Sequence, residues 1–193
     1  IRDSSYATQK EKDEVIVKEK NGIKYGLLAY TTLTNGLTMP KDKRFYLNVY
    51  SDALAKKDIE ALRDKVDVLI VSMHWGIEYS HGVSPEQKTI AKYLSSLGVD
   101  IIIGTHPHVV EPIEYINNTL VIYSLGNFVS SQIGNEKLTG LVAAVDITKT
   151  TIDGKSVVKL SNTKADLVYT CKPNTCGKGK YKVYPVSYTH LRA

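Results

Sequence analysis

Two almost continuous apolar runs stand out in the hydrophobic pattern of the chain. They cover residues 66–73 and 99–103, and each leads directly to histidine: His74 after the first run, and His106 and His108 after the second. Continuous rather than alternating apolar residues are typical of strands covered on both faces, as in parallel α/β sheets. Ligands in such sheets lie beyond the carboxyl ends of the strands, so the pattern places the histidines where a site is expected.

A helix is predicted between the two runs. It begins at Ser84-Pro85-Glu86-Gln87, where serine suits the N-cap, proline the first helical position and glutamine the third. It ends at Gly98, a residue suited to the position after a helix. A strand, loop, helix and strand in this order predict two parallel neighbours whose carboxyl ends share one edge. The apolar residues of segment 51–65 have approximate helical spacing, which predicts a surface helix before the first apolar run.

Hairpins are predicted around three turn signals: Asn21-Gly22, Asn117-Asn118 and Asp153-Gly154. The flanking strand-like runs are 15–20 and 23–30, 111–116 and 119–123, and 140–148 and 156–164. The second half is therefore expected to be mostly antiparallel. Residues 1–14 are polar without periodicity and predict a loop or frayed end, 15–185 form one domain portion, and 186–193 are interpreted as a tail.

The three histidines predict a metal site. His106 precedes Pro107, which biases it away from the helical region; we expect an extended backbone that points His106 and His108 the same way. Neutral imidazole nitrogens are common metal ligands. The alternative is that one histidine is a satisfied surface residue and another caps a loop, but three histidines at two adjacent strand ends favour metal.

Composition bounds the size and partners of the chain. With 193 residues, 42% of them hydrophobic, it can form one core. Residues 159–182 hold six lysines and one aspartate, a local net charge of +5 that equals the formal charge of the whole chain. Such a strip suits a polyanion, although a lysine run is usually a solvated face. No aromatic-interleaved motif accompanies it, so nucleic acid is not expected.

The only cysteines, Cys171 and Cys176, are separated by four residues in a turn-rich segment. A small disulfide loop is predicted rather than a zinc site, which would need two further ligands. A disulfide would indicate an oxidising compartment. The sequence has neither a signal peptide nor a long apolar segment, so we expect membrane association only through parts of the parent protein missing from this chain.

The motif residues resemble the CapA family of poly-γ-glutamate capsule synthesis proteins. The resemblance spans about residues 22–185 and rests on ordered blocks: His74-Trp75-Gly76-x-Glu78-Tyr79, Gln87, Gly98-Val99-Asp100-x-Ile102-x-Gly104-x-His106-Pro107-His108-Val109-Val110 and Tyr123-Ser124-Leu125-Gly126-Asn127-Phe128. The fold it implies is α/β, the C-terminal part of a four-layer αββα metallophosphoesterase-like sandwich with mixed sheets.

The resemblance also implies a metal centre. Two divalent ions, of Mn, Zn or Fe, are expected in the full-length parent, where they would activate a bridging water. His74 and His106 match ligands of one ion, and His108 matches a ligand of the other. The family's remaining ligands, an Asp and an Asn-Asn-His or similar stretch, are absent before His74. Three imidazoles without a bridging carboxylate would bind metal only loosely.

Further site residues are predicted around the histidines. Glu78 and Glu111, the nearest carboxylates in sequence, are candidate proton-transfer groups, and either is equally interpretable as a surface residue. Trp75 and Asn127 are candidate substrate contacts, although Asn127 would also suit a hydrogen bond within its own loop. Asn35 lies in a loop that borders the site in the resembled family; a plain turn asparagine is the alternative.

The predicted function is that of a fragment of a CapA-like protein in poly-γ-glutamate capsule biosynthesis, with a metal-dependent hydrolase or phosphoesterase-type site. The alternative is a non-catalytic cell-surface component of the polymer synthesis and export assembly. Whether the parent is catalytic is left open, and this fragment alone is expected to be inactive. The partners implied are poly-γ-glutamate, an anionic polymer, or its synthesis machinery. The expected location is extracytoplasmic, at the bacterial cell surface.

Overall fold

A six-stranded mixed sheet forms the centre of the fold in the structure, a computed structural model that describes residues 6–34, 36, 38–173, 175 and 179–189. Its strands are β1 (Lys18–Lys20), β2 (Ile23–Thr31), β3 (Val68–His74), β4 (Ile101–Thr105), β5 (Ile113–Ile116) and β6 (Thr119–Ile122). Their spatial order is β1-β2-β3-β4-β6-β5. The four central strands are parallel and the two edge strands are antiparallel to their neighbours. The predicted parallel pairing of the two histidine-bearing strands is confirmed.

Helices pack against one face of this sheet. The helices among the described residues are α1 (Gln9–Asp13), α2 (Asp52–Leu62), α3 (Pro85–Ser96), α4 (Asn135–Leu138) and α5 (Val186–Thr189), with 3₁₀ segments at Lys41–Tyr46 and Arg63–Lys65. The two longest, α2 and α3, form this packed layer. Ile59 and Leu62 of α2 and Ile90 and Leu94 of α3 are buried in one core with the sheet. The predicted capping box begins α3: the Gln87 N–H donates to Ser84 Oγ at 3.2 Å and the Ser84 N–H donates to Gln87 Oε1 at 2.8 Å.

A second, antiparallel sheet covers the other face. It consists of β7 (Thr139–Ile152), β8 (Lys155–Cys171) and β9 (Lys182–Pro185). Inward side chains such as Leu141 and Ile147 pack against buried Val68 of the first sheet. Their neighbours along the strands alternate to the outer face, where Val142 is 45% exposed and Val157 is 67% exposed.

The fold is therefore mixed α/β with two packed sheets, as predicted. Its layers are helices, mixed sheet and antiparallel sheet. Within the described residues, no helix longer than four residues follows β7, so the outer helical layer of a four-layer sandwich is not formed by this part of the chain.

The amino ends of β3 and β4 are fastened by Arg63. Its guanidinium donates to the Asp100 carboxylate at 2.6 Å and to the carbonyl oxygens of Gly98, Val66 and Asp67 at 2.7, 2.9 and 3.1 Å. A planar cation with several fixed donors suits this role, because the ends of strands leave carbonyl groups without ladder partners. Arg63 thereby holds together the edge of the sheet opposite the histidines.

The two sheets are joined by an ion pair. Lys149 Nζ of β7 lies 2.8 Å from Asp67 Oδ2, which also accepts the Lys24 N–H at 2.7 Å. The Lys149 ammonium, followed by the Lys24 N–H, holds the pKa of the Asp67 carboxyl below its usual range. A charge on the second sheet thus fastens it to the amino end of β3.

The predicted hairpins are all present. Asn21, Asn117 and Asp153 have φ values of 53°, 53° and 49°. These left-handed conformations suit tight turns between twisted strands, and asparagine and aspartate tolerate them better than most residues do. Turn chemistry therefore placed the hairpins correctly, although β7 and β8 are longer than predicted.

The described residues near the chain ends include two short helices. Residues 1–14, predicted as a loop or frayed end, include the one-turn helix α1, because Thr8 Oγ1 accepts the Glu11 N–H at 3.1 Å as an N-cap. The predicted tail begins with the short helix α5. In the described ranges, every helix is too short or too polar to cross a membrane. Cys171 is buried, and its predicted partner Cys176 lies outside the described residues.

Candidate metal centre

The histidines lie at the carboxyl edge of the parallel strands. In the sheet register His74, the last residue of β3, pairs with Thr31 on one side and with Thr105 on the other. Its carbonyl oxygen accepts the Thr32 N–H at 2.9 Å. The Thr105 carbonyl accepts the Trp75 N–H at 3.1 Å. These hydrogen bonds fix the chain where it leaves the sheet. The loops that follow β3 and β4 therefore start next to each other, at His74 and His106.

The three imidazole rings converge, as the sequence predicted. The ring centroids of His74 and His106 are 4.6 Å apart with an interplanar angle of 57°. Those of His106 and His108 are 6.4 Å apart at 45°. His106 is 9% exposed, whereas His74 and His108 are half-buried. The cluster therefore has one buried ring between two partly accessible ones.

The backbone conformation at the converging histidines differs from the prediction. His106 has φ of 102° and His108 has φ of 61°, so neither has the extended backbone expected before and after Pro107. The proline disfavours the right-handed helical region but does not impose an extended chain. The Pro107 carbonyl accepts the Tyr79 N–H at 2.7 Å, and this contact between loops holds the turn. The strand register, rather than local alternation, brings the rings together.

The tautomer of His108 follows from its partner. Asn127 Nδ2 faces four acceptor oxygens: the carbonyls of His108 and Lys137, Ser130 Oγ and Gln132 Oε1, at 3.0–3.4 Å. The amide oxygen therefore faces the ring, and His108 Nδ1 donates to Asn127 Oδ1 at 2.9 Å. The lone pair of His108 lies on Nε2, the arrangement found in metal-ligating histidines whose other nitrogen is held by a hydrogen bond.

Burial keeps two of the imidazoles neutral. It lowers the pKa of His74, and the neighbouring His106 and His108 lower it further. Burial likewise lowers the pKa of His106, although Glu78 acts in the opposite direction on both rings. Neutral imidazole is the form that ligates a metal. The direction of both shifts therefore favours, for His74 and His106, the form that a metal site requires.

The two candidate carboxylates have different surroundings. Glu78 is exposed, and its charge acts on both His74 and His106. Glu111 is 2% exposed, so the surface position considered for it is wrong. Glu111 Oε2 accepts from Gln87 Nε2 at 2.7 Å, and burial raises the pKa of this carboxyl. The proton-transfer role stays a prediction for both, with Glu78 electrostatically coupled to the histidines.

Two predicted substrate contacts have other roles in the structure. Trp75 is completely buried, stacks on Tyr123 with ring centroids 5.9 Å apart and donates from Nε1 to the Tyr123 carbonyl at 2.9 Å. It is a core residue, so its prediction as a substrate contact is wrong. The Asn127 amide hydrogen-bonds His108 and its own loop, which is the alternative role considered for it, and its contact with a ligand stays a prediction. Asn35 lies outside the described residues.

The histidines provide part of a metal site. Within the described residues, no group of three or more His, Cys, Asp or Glu side chains is arranged to hold an ion. The donors near the rings are neutral imidazoles, and a bridging carboxylate for two closely spaced cations is not among them. The chemistry of the donor set therefore fits the histidine share of a metal centre, as expected for a chain that lacks the earlier family motifs.

Sequence reasoning missed two residues beside the cluster. The Tyr79 ring stacks on His108 with centroids 6.0 Å apart and an interplanar angle of 24°. Lys137 Nζ lies 4.6 Å from the centroid of the Tyr79 ring. Tyr79 belongs to the first motif block and could have been selected on that ground. Lys137 is one lysine among many, and nothing in the sequence distinguishes it.

Comparison with known proteins identifies the family of the chain. Residues 5–132 match the family described as Bacterial capsule synthesis protein PGA_cap, so the match contains the first sheet and ends before β7. The chain is 32% identical over 139 residues to the PGA biosynthesis protein CapA of Bacillus subtilis, which covers 67% of this chain and 34% of that protein. It is 33% identical over 127 residues to the capsule biosynthesis protein CapA of Bacillus anthracis, covering 64% and 31%.

A third relative is a probable polyglutamine synthesis accessory protein of Mycobacterium tuberculosis, 32% identical over 68 residues, with 35% of this chain and 18% of that protein covered. The chain spans about a third of the length of the two Bacillus relatives. The match to the family extends over more than half of the chain and includes the three histidines. The resemblance seen in the motifs is confirmed, and the chain belongs to the PGA_cap family of bacterial capsule synthesis proteins.

Proposed function

We propose that this chain supplies the histidine-bearing part of a metal-dependent hydrolase or phosphoesterase-type site in a protein of poly-γ-glutamate capsule biosynthesis. The convergence of His74, His106 and His108 at the carboxyl edge of adjacent parallel strands is the observation that carries the proposal. The names of the two Bacillus relatives supply the biological process.

The chain's own residues would contribute ligands and their orientation. His74 and His106, kept neutral by burial, would bind one divalent ion, of Mn, Zn or Fe. His108, oriented by Asn127, would present Nε2 to a second ion. A bound pair of such ions lowers the pKa of a water molecule and stabilises charge on attacking and leaving oxygens. Glu78, the carboxylate whose charge acts on two of the rings, would accept or return a proton at this edge.

A non-catalytic role is the second candidate. It is favoured by the same donor set, because the described residues lack a complete group of metal ligands. In that case the histidine edge would bind a ligand or stabilise an assembly for polymer synthesis and export. The two candidates differ in whether metal bound at the histidines is required for turnover.

The partners and location follow the same line. One relative is named for PGA biosynthesis and another for polyglutamine synthesis, and on this basis we propose poly-γ-glutamate or its synthesis machinery as partner. Exposed Lys159, Lys164 and Lys182 belong to the basic strip and suit a polyanion. An extracytoplasmic location at the cell surface is proposed because the polymer is a capsule component and because the two cysteines suit an oxidising compartment.

Calorimetric titration of the chain with Zn²⁺ and Mn²⁺ tests the ligand assignment. His106→Ala is expected to weaken binding by at least about tenfold, which corresponds to about 1.4 kcal/mol. His81→Ala is the matched control, because exposed His81 bonds the Val110 carbonyl through Nδ1 at 2.8 Å and was not assigned as a ligand. Equal affinities for wild type and His106→Ala would refute the assignment.

Catalysis is tested in the longest native polypeptide that contains this chain. Hydrolysis of a phosphodiester and cleavage of poly-γ-glutamate are measured with and without added metal, beside the His106→Ala variant. Metal-dependent turnover that this variant loses supports the enzyme. Tight, histidine-dependent metal binding without turnover on either substrate favours the non-catalytic candidate.

A further inference from the structure

We propose that Lys137 and Tyr79 form an anion-binding arm of the histidine site that takes a free α-carboxylate of the γ-linked glutamate polymer. This inference rests on the proposed function and names the group by which the site would recognise its substrate. Neither residue belongs to the candidate ligands or to the basic strip. Both are placed by contacts to His108 and its supporting loop.

Tyr79 is held against the site by its backbone. Its φ is 65°, an unusual conformation for a tyrosine, and its N–H donates to the Pro107 carbonyl at 2.7 Å. Such a conformation is strained for a residue other than glycine and persists where surrounding contacts enforce it. Its consequence is that the Tyr79 ring lies nearly parallel to the His108 ring, 6.0 Å away between centroids.

The Tyr79 hydroxyl remains able to donate. Gln132 Nε2 donates to it at 3.4 Å, which occupies a lone pair of the oxygen and leaves the phenolic proton. Tyr79 is 48% exposed, so the hydroxyl lies where a ligand can approach. Among the described residues no acceptor competes for the phenol proton, so it is a suitable donor to a carboxylate.

Lys137 is fixed at both ends. Its carbonyl accepts from Asn127 Nδ2 at 3.0 Å, the same amide that orients His108. Its ammonium lies 4.6 Å from the centre of the Tyr79 ring, which is a favourable cation–π contact. The positive charge is therefore positioned beside the ring that covers His108.

This charge is only partly compensated. Glu136 Oε1 is 3.7 Å from Lys137 Nζ, and the side chains of Lys137 and Glu136 are 24% and 46% exposed. At this distance the pair makes no direct hydrogen bond, and ion pairs near the surface contribute little. A carboxylate bound at this ammonium gains a charge-assisted hydrogen bond from Lys137.

The test measures binding of a fluorescently labelled poly-γ-glutamate oligomer to the chain at low ionic strength. Wild type is compared with Lys137→Met, Lys137→Arg and Tyr79→Phe. The control is Lys92→Met, which removes the same charge from an exposed position on α3. Thermal unfolding of each variant is followed in parallel.

Lys137→Met is expected to weaken binding by about tenfold, the size of one lost charge-assisted hydrogen bond. Lys137→Arg should stay within about threefold because it keeps the charge, and Tyr79→Phe should lose about three- to fivefold for one neutral hydrogen bond. Lys92→Met should match wild type. On wild type alone, a fully esterified oligomer should bind at least about tenfold more weakly, which tests the carboxylate even if Lys137→Met unfolds.

Three results would overturn this inference and leave the proposed function standing. The first is an equal affinity of wild type and folded Lys137→Met for the polymer. The others are a loss of polymer affinity in Lys92→Met as large as that in Lys137→Met, and a Lys137→Met variant that binds inorganic phosphate more weakly but the polymer as well as wild type does. If wild type does not bind the polymer at all, both the inference and its basis in the proposed function fail. The two failures are thereby distinguishable.

Discussion

Gly104 is the position where the structure predicts the largest effect of a single added methyl group. It lies in β4 directly before Thr105 and His106. A Cβ at Gly104 would collide with the carbonyl oxygen of Tyr123 and lie 2.5 Å from Trp75 Nε1. These two atoms form the buried hydrogen bond of 2.9 Å between Trp75 and Tyr123. Gly104→Ala must therefore displace a backbone carbonyl, a buried indole or both.

The magnitude follows from the two contacts. Overpacking a close-packed core costs about 1–3 kcal/mol, and a buried hydrogen bond left unsatisfied costs a further 1–3 kcal/mol. The substitution is expected to destabilise the chain by about 2–6 kcal/mol, a large share of the 5–15 kcal/mol typical of a domain. For a chain of this size each kcal/mol lowers the melting temperature by about 2–4 °C.

Urea unfolding followed by tryptophan fluorescence measures the effect at the site itself, since Trp75 is the only tryptophan in the chain. The matched control is Gly82→Ala, because a Cβ at Gly82 meets only Ser80 Oγ, at 3.6 Å. The control should stay within about 0.5 kcal/mol of wild type, as surface substitutions usually do. A Gly104→Ala variant as stable as the control would refute the packing argument.

Three further predictions concern charges and the support of His108. Lys149→Met should lower stability by up to about 1 kcal/mol at pH 7. Because the pKa of Asp67 is lowered in the fold, this stability exists above the unfolded pKa and is lost as pH falls through the folded pKa, so urea midpoints of variant and wild type should meet at low pH. Because the pKa of Glu111 is raised in the fold, its protonated form stabilises the fold below the unfolded pKa, and this stability is lost as pH rises through the folded pKa. Glu111→Gln should therefore have a higher urea midpoint than wild type at pH 8. A difference in midpoint that stays constant from pH 4 to 8 would contradict this. Asn127→Ala should weaken Zn²⁺ binding by about 10–100-fold in calorimetry, with unchanged affinity as the contrary result.

The sequence was sufficient for the framework of the site. The apolar runs, the capping box at Ser84 and Gln87, and Gly98 predicted strand, helix and strand correctly, because each element follows local rules of burial and capping. Parallel pairing then determined which edge bears His74 and His106. These features depend on spacing along the chain, which a sequence shows directly.

The details around the rings depend on contacts between distant segments. Trp75 was predicted to contact substrate because it adjoins His74, but the Tyr123 carbonyl, 48 positions away, receives its N–H and keeps it in the core. The conformation of His106 was predicted from Pro107 alone, whereas the loop that contains Tyr79 helps to set it. Lys137 had no local signal of any kind. A single sequence does not show which loops meet.

Arg63 at one edge of the sheet and the histidines at the other make stability and chemistry separable targets for engineering. Substitutions that strengthen the bonds of Arg63 or its partner Asp100 act at the amino ends of the strands, a sheet's length from the rings. A library built there can be screened for heat resistance alone, and its best members combined with altered ligands at the opposite edge. Energies of such distant changes should add within about 0.5 kcal/mol, so a stabilised scaffold would tolerate the costly substitutions that a new metal or substrate requires.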